Sequence, residues 1–455
     1  MINGFHRNTS GDFLRTILHK LGIDGAVAST LYNRFFGLFK TPLTMLFILR
    51  YLTAEQQGIW YTFNSLIPLT ALAELGFTVI ITQFVSHEYA KLKYENGIIT
   101  GEQYNIDKLF SLIRYAIKFY TMIIPTAIVI LLVAGSSFLN TQSFEILIAW
   151  YVFSLIGGLS LFGSLLQSIF QGLNKVRDIQ KNIFLGSIVT TACNLAFLYL
   201  KLNIWALVIG NGVGLIVMLT FLYLKAPQFW KQLLHHNLTH TFPWFKEIVT
   251  LQWKYAVTWI SGYLIFFLFV PAAYKYQGSI VAGQLGLTLS LIGAVSSIAD
   301  PWVGTKLPQL NMLVATGKNK ELIDLFTKSS IQSFIVTVMG SVGLLSILFV
   351  LSYFNFYQNR LLSIPLTAYL LLSNIPVRII LYLSMYLRAH KIEPFYLLSV
   401  LNAALIAFCV FVVFPRYGLL ALIIGTNIVY WCIILPYAVY IYRSFNRTKQ
   451  LMNVV

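Results

Sequence analysis

The chain has 455 residues, 58% of them hydrophobic and only 10% charged, with a mean hydropathy of +0.74. A soluble domain keeps about 25% charged residues as a solvated shell, so this composition excludes a water-soluble globule and sets most of the surface against lipid. The 32 Lys and Arg against 15 Asp and Glu, a formal +17, lie in short loops between apolar stretches; no basic soluble domain exists to carry nucleic acid, and none is expected as a partner.

Residues 1–30 lack the continuous apolar core and small-residue cleavage site of a signal peptide and read as a cytoplasmic N-terminal segment. A helical crossing needs about 20 apolar residues. Such stretches follow near 31–52, 59–84, 115–135, 145–170, 183–201 and 204–224. Segment 225–249, with Pro227, Pro243 and a His/Asn/Thr cluster, reads as a cytoplasmic inter-lobe loop. Further spans are expected near 250–272, 280–300, 330–352, 362–386, 395–414 and 419–442, before a cytoplasmic tail at 443–455. Runs such as Met122–Ala134 do not alternate in polarity as barrel strands do. The expected fold is an all-α polytopic membrane protein with about 12 transmembrane helices. They form two pseudo-symmetric six-helix bundles, an N-terminal lobe over 31–224 and a C-terminal lobe over 250–442. Gln57-Gly58 and Gln277-Gly278 hold matching places in the two halves.

Orientation follows from the basic residues. Lys91, Lys93, Lys108, Lys175, Arg177, Lys225, Lys318, Arg388 and Arg443 are among those on one side, whereas each opposite loop holds one, such as Arg360 or Arg416. That asymmetry assigns both termini to the cytoplasm of a cell (inner) membrane.

Charged groups inside spans cost about 2.5–3.5 kcal/mol each and usually face a cavity. Asn33, Gly37, Lys40, Thr41 and Thr44 form one helical stripe; Thr70, Glu74 and Thr78 form a second. Lys254, Thr258 and Ser261 share a face, as do Thr367, Asn374, Arg378 and Tyr382 beside Pro376. Asp300-Pro301 ends the eighth span, with Lys306 just beyond. The functional reading is a wet cavity lined by Lys40, Lys254 and Arg378, with Arg34 and Lys306, gripping an anionic headgroup, above all a diphosphate. Against it stands a structural reading in which Glu74 neutralises Lys40 while Lys254 and Lys306 snorkel to headgroups. Glu74 and Asp300 are candidate coupling or salt-bridge acids. Cys193, Cys409 and Cys432 lie singly in spans, and His235, His236 and His240 have no neighbouring carboxylate or cysteine in sequence, so neither metal nor cofactor is expected. No phosphate-binding loop appears, so an ATP-driven pump is not expected; the opposite loops are short and hold no His, so the chain reads as a non-enzyme.

Several stretches carry a family resemblance: Arg50 to Gly58, Leu75-Gly76-Phe77, Gln83 to Glu88, and Gly172-Leu173-Asn174-Lys175 in the first half. In the second half they are Gln252-Trp253-Lys254, Ser261-Gly262-Tyr263, Ala282 to Gly286, Pro301-Trp302 and Lys306-Leu307-Pro308. Across roughly residues 30 to 440 the chain resembles the polysaccharide-unit (O-antigen, Wzx-type) flippases of the superfamily that also contains the MATE exporters. The resemblance implies alternating access and a polyprenyl-diphosphate-linked oligosaccharide as cargo, held by Lys40, Lys254 and Lys306. Membrane lipids and glycan polymerase or ligase machinery are the implied partners in cell-surface polysaccharide assembly. The alternatives are an ion-coupled small-molecule exporter of the MATE kind and a membrane glycan polymerase or ligase. An exporter of cations calls for an acid-lined cavity, and such an enzyme for a large external loop; neither is visible in the sequence.

Overall fold

The computed structural model describes residues 25–95, 97–139, 142–240, 242–304, 306–354, 360–390 and 395–452. The side chains of Arg34 and Lys254 lie outside this description. The chain is a multi-pass helical membrane protein.

Helix α1 (Gly25–Tyr51) leads through a two-residue turn to α2 (Ala54–Leu66). The turn is fixed by a capping box: Thr53 Oγ1 accepts from Gln56 N at 3.2 Å, and Gln56 Oε1 accepts from Thr53 N at 3.1 Å. The expected second span is broken. After a 3-10 turn at Ile67–Thr70 and a short α3 (Ala71–Glu74), Leu75 and Gly76 adopt φ of 51° and 76°. Helix α4 (Phe77–Tyr89) then leaves at a bend of 52°. A hairpin follows, β1 (Lys93–Glu95) paired antiparallel with β2 (Ile98–Thr100). Next come α5 (Gln103–Phe138), α6 (Phe144–Gly172), α7 (Val176–Tyr199) and α8 (Ile204–Lys225). The 36 residues of α5 reach about 54 Å at 1.5 Å per residue, beyond the ~30 Å apolar thickness of a bilayer, and the charged Asp107, Lys108 and Arg114 mark its first turns as the part outside the apolar layer.

The segment between bundles is not a free loop. It contains α9 (Pro227–His235) and ends at α10 (Trp244–Phe266), six residues before the expected start at 250. We call the end of the molecule where it runs the linker face. Phe229 and Leu233 bury the apolar side of α9 against the first bundle. Gln232 completes the hairpin's edge, its amide exchanging two 2.8 Å bonds with the backbone of Ile99. Arg114 on α5 donates to the carbonyls of Leu233 and His236 at the α9 C-terminus, at 3.2 and 2.6 Å.

The second bundle continues with α11 (Phe269–Ala299), α12 (Pro301–Gly304), α13 (Leu307–Ala315), α14 (Asn319–Tyr353) and α15 (Ile364–Ala389). Then come α16 (Tyr396–Phe408), α17 (Phe414–Ile428) and α18 (Leu435–Met452), linked by π-helical turns at Cys409–Val413 and Val429–Ile434. Two breaks interrupt it, at Gly278 (φ 87°) in α11 and Gly418 (φ 78°) in α17. Among the described residues eight helical stretches are long and apolar enough to span, or nine if the bent pair α2–α4 is one span. The count falls below twelve because stretches such as Tyr396–Arg447, 52 residues long, run through a break and hold more than one crossing.

The bundles meet tightly at the end opposite the linker face. A Cβ on Gly58 of α2 would lie 1.8 Å from the carbonyl oxygen of Ser279, and one on Gly283 would lie 2.9 Å from Gly58 N. Only glycine permits this approach of α2 to α11. Gln57 Nε2 donates across the joint to the carbonyls of Gly283 (2.9 Å) and Arg360 (3.0 Å). Arg360 Nη2 donates back to the C-terminal carbonyls of α1, Leu49 O at 3.1 Å and Leu52 O, where the helix dipole favours a cation.

Candidate functional site

Arg378 sits mid-way along α15, two residues after Pro376. Proline has no N–H for the carbonyl four residues earlier, so Leu372 O is freed; the Trp431 indole donates to it at 3.2 Å. Asn427 Nδ2 braces the same helix at Tyr369 O, 3.0 Å away. The interrupted stretch that carries Arg378 is therefore held by its neighbours rather than left frayed.

Across from it stands Asp300, at the C-terminal end of α11. Arg378 Nη1 donates to Asp300 Oδ1. One turn earlier on both helices Asn374 Nδ2 donates to Ser296 Oγ at 3.2 Å. The two contacts advance by four residues on each helix, which matches neighbours running side by side in one direction. Ser333 on α14 ties in, donating to or accepting from Tyr382 OH at 2.7 Å and reaching Ala299 O at 2.8 Å. Beside this ladder lies a cavity of about 360 Å³ lined from α10, α15, α16 and the second π turn. Its polar lining includes Asp300, Arg378, Ser384, Arg388, Asn402 and Tyr430. The charged lining is two guanidinium groups, Arg378 and Arg388, and one carboxylate, Asp300.

Lys40 lies elsewhere. It is half-buried on α1 and donates to Ser187 Oγ on α7 at 3.3 Å. Asn33 bonds Gln180 the same way, through its side-chain amide to both Gln180 oxygens at 2.8 Å, a second ladder with equal steps on two helices. The cavity that Arg378 lines does not include Lys40. Lys306 is exposed. Lys254 and Arg34, expected beside Lys40, have side chains outside the described residues.

Glu74 takes part in the helix break. Its Oε1 accepts from Thr78 N at 3.2 Å and from the Thr78 hydroxyl, capping the first turn of α4, whose N-cap glycine has no side chain to do so. Among the described residues it forms no ion pair with Lys40.

One polar cluster escaped the sequence reading. Asp107, wholly buried, accepts from His236 Nε2 (2.6 Å), His240 Nδ1 (3.1 Å), Thr239 N (3.1 Å) and the Thr239 hydroxyl. The histidines appeared to lack a carboxylate because theirs arrives from 129 residues away in sequence. Burial opposes ionisation of Asp107, but the bonds from Thr239, His236 and His240 outweigh it and hold the carboxyl well below the usual carboxylate range. Among the described residues no His, Cys, Asp and Glu group could hold a metal ion.

No family model matches the chain, and no curated protein does. Solved structures do. An inward-facing multidrug-resistance MATE-family transporter of the MOP superfamily superposes with a TM-score of 0.64 at 12% identity, over 90% of this chain and 96% of that one. The lipid II flippase MurJ, inward closed, gives 0.61 at 14% identity, over 92% and 87%. A MOP-superfamily transporter from Pyrococcus furiosus, described as having a binding pocket of reverse polarity, gives 0.51 at 11%, over 92% and 96%. The chain has the fold of MOP-superfamily transporters.

Proposed function

We propose that the protein is a flippase that carries a polyprenyl-diphosphate-linked oligosaccharide from the cytoplasmic to the outer leaflet of the cell membrane, by alternating access and without enzymatic chemistry. The carrying observation is the cation-rich cavity around Arg378, set within the helical bundle on a fold shared with a lipid II flippase. An arginine at membrane depth is costly, and its planar fork matches phosphate oxygens. In the orientation given by the basic loops the linker face is cytoplasmic, both termini lie inside, and the end sealed by Gln57, Gly58, Gly283 and Arg360 is the outer one.

In this reading the diphosphate enters from the cytoplasm, the prenyl tail stays in lipid, and the bundles rock to release the headgroup outside. Lys40, Lys254, Lys306 and Arg34 are the further cations offered to the cargo, and Glu74 serves the helix break. Moving a net charge of about −2 outward along an inside-negative potential of about 100 mV is favourable by roughly 4–5 kcal/mol, so the potential alone can drive the step. A MATE-like exporter of organic cations shares the fold, but here the cavity's carboxylate, Asp300, is already matched by Arg378.

The test is gene deletion followed by lipid extraction and leaflet-specific labelling. Lipid-linked glycan accumulates on the cytoplasmic leaflet, and Arg378→Ala fails to complement. Loss of the glycan before it is linked to lipid, or full complementation by Arg378→Ala, rejects the assignment.

A further inference from the structure

We infer that Asp300 is an internal counter-anion for the cargo, a carboxylate that holds Arg378 while the chamber is empty and is exchanged for a phosphate group when a lipid diphosphate enters. The inference rests on the flippase reading of this chamber and adds how the site is regulated.

Three observations carry it. The first is that the pair is incomplete. Asp300 takes one donor, Nη1, while Arg378 Nε is buried without a partner among the described residues. A guanidinium offers its donors as a planar fork, and a phosphate with several oxygens can engage two edges where this carboxylate engages one. The second is the asymmetry of exposure. The Asp300 side chain is 38% exposed and that of Arg378 14%, so the carboxylate can turn to water while the guanidinium stays in the wall.

The third is that the helices do not depend on the pair for their register. Ser296–Asn374 and the Ser333 contacts to Ala299 and Tyr382 hold α11, α14 and α15 together beside it. An ion pair serving only to fix these helices would be redundant, whereas one that must open during each cycle needs such independent support. Arg388 lines the same cavity.

Exchange makes Asp300 and phosphate mutually exclusive ligands of Arg378, which is negative coupling, and such coupling is typically 5–150-fold in affinity. The test uses the full chain in nanodiscs, with farnesyl diphosphate and inorganic pyrophosphate as probes and farnesol as the uncharged control. Asp300→Asn binds both diphosphates roughly tenfold more tightly than the parent, Arg378→Gln binds neither, and the double variant behaves as Arg378→Gln. A gain with farnesyl diphosphate alone assigns the chamber to lipid-borne phosphate; a gain with both assigns it to the diphosphate itself. Unchanged or weaker binding by Asp300→Asn, with Arg378→Gln still defective, overturns the exchange and leaves the flippase reading intact. Parental affinity in Arg378→Gln overturns both. Melting curves accompany each variant, and Asp300→Ser is read identically if Asp300→Asn melts early.

Discussion

Arg360 offers the sharpest test of how the end opposite the linker face closes. It reaches from the second bundle to two carbonyls that end α1, Leu49 O and Leu52 O, while its own carbonyl accepts from Gln57. Arg360→Met keeps most of the aliphatic stem and removes both guanidinium bonds. A hydrogen bond to a charged group contributes about 1.5–3 kcal/mol when buried. Arg360 is only half-buried, and water rehydrates it once the joint parts, so the net bias toward the closed end is about 1–2 kcal/mol for the pair of bonds. At 1.4 kcal/mol per factor of ten, the open population rises roughly 5–30-fold. Spin labels at Glu55 and Tyr417, both exposed, report the gap once Cys193, Cys409 and Cys432 are replaced. A longer-distance population is expected to grow in Arg360→Met, and less so in Arg360→Lys, which keeps the charge without the fork. An identical distance distribution in parent and Arg360→Met would show that these bonds do not close the end.

Other positions give independent checks. Gly283→Leu forces a side chain into the 2.9 Å approach to Gly58 N; the same label pair is expected to report that the end opposite the linker face no longer closes, with transport lost. Asp107→Asn removes a buried carboxylate bonded by His236, Thr239 and His240, costing about 1–3 kcal/mol. Because the folded carboxyl lies below the unfolded value near 3.9, its stabilisation is complete above pH 4 and fades as pH falls through the depressed value. The melting difference between parent and Asp107→Asn is therefore expected to shrink as pH falls below 4. Trp431→Phe strips Leu372 O of its donor beside Pro376; about 1 kcal/mol of stability is expected to go, read as a lower Tm.

How much was legible depends on how far apart in sequence the partners lie. Apolar length and basic loops made the helical, multi-pass fold readable, because both signals are local. The i, i+4 spacing found Asn374 with Arg378 and Thr70 with Glu74, since a helix face is written in one stretch of chain. The partners of those faces were not readable. Nothing in the sequence pairs Arg378 with Asp300 rather than with another acid, or turns Lys40 toward Ser187 instead of Glu74. Asp107 was hidden for the same reason. The break at Leu75–Gly76 was missed on different grounds: a left-handed leucine is paid for by its surroundings, and hydropathy runs through it unaltered. Gln57-Gly58 recurs in the sequence as Gln277-Gly278, but the reason for Gly58 is a backbone on the other bundle.

The docked linker constrains where the bundles can hinge. Gln232 is bonded to Ile99 of the hairpin, Arg114 and Asp107 of α5 hold the stretch from Leu233 to His240, and the Trp244 indole at the start of α10 adds a 3.1 Å bond to Ser111 of α5. A connection tied at so many points moves with the first bundle as one body, so rotation of the second bundle cannot be absorbed in α9. It must be taken up beyond Trp244, within α10, whose Gln252 makes a 3.4 Å contact from its Nε2 to Glu74 O at the helix break. Hydrogen exchange separates this from a flexible tether. Amides of α9 and of Thr239 are expected to keep the same protection whether the end opposite the linker face is held shut by a disulfide or freed by Arg360→Met, while protection in α10 changes. Protection lost across α9 on opening would place the hinge in the linker and refute the lever arrangement.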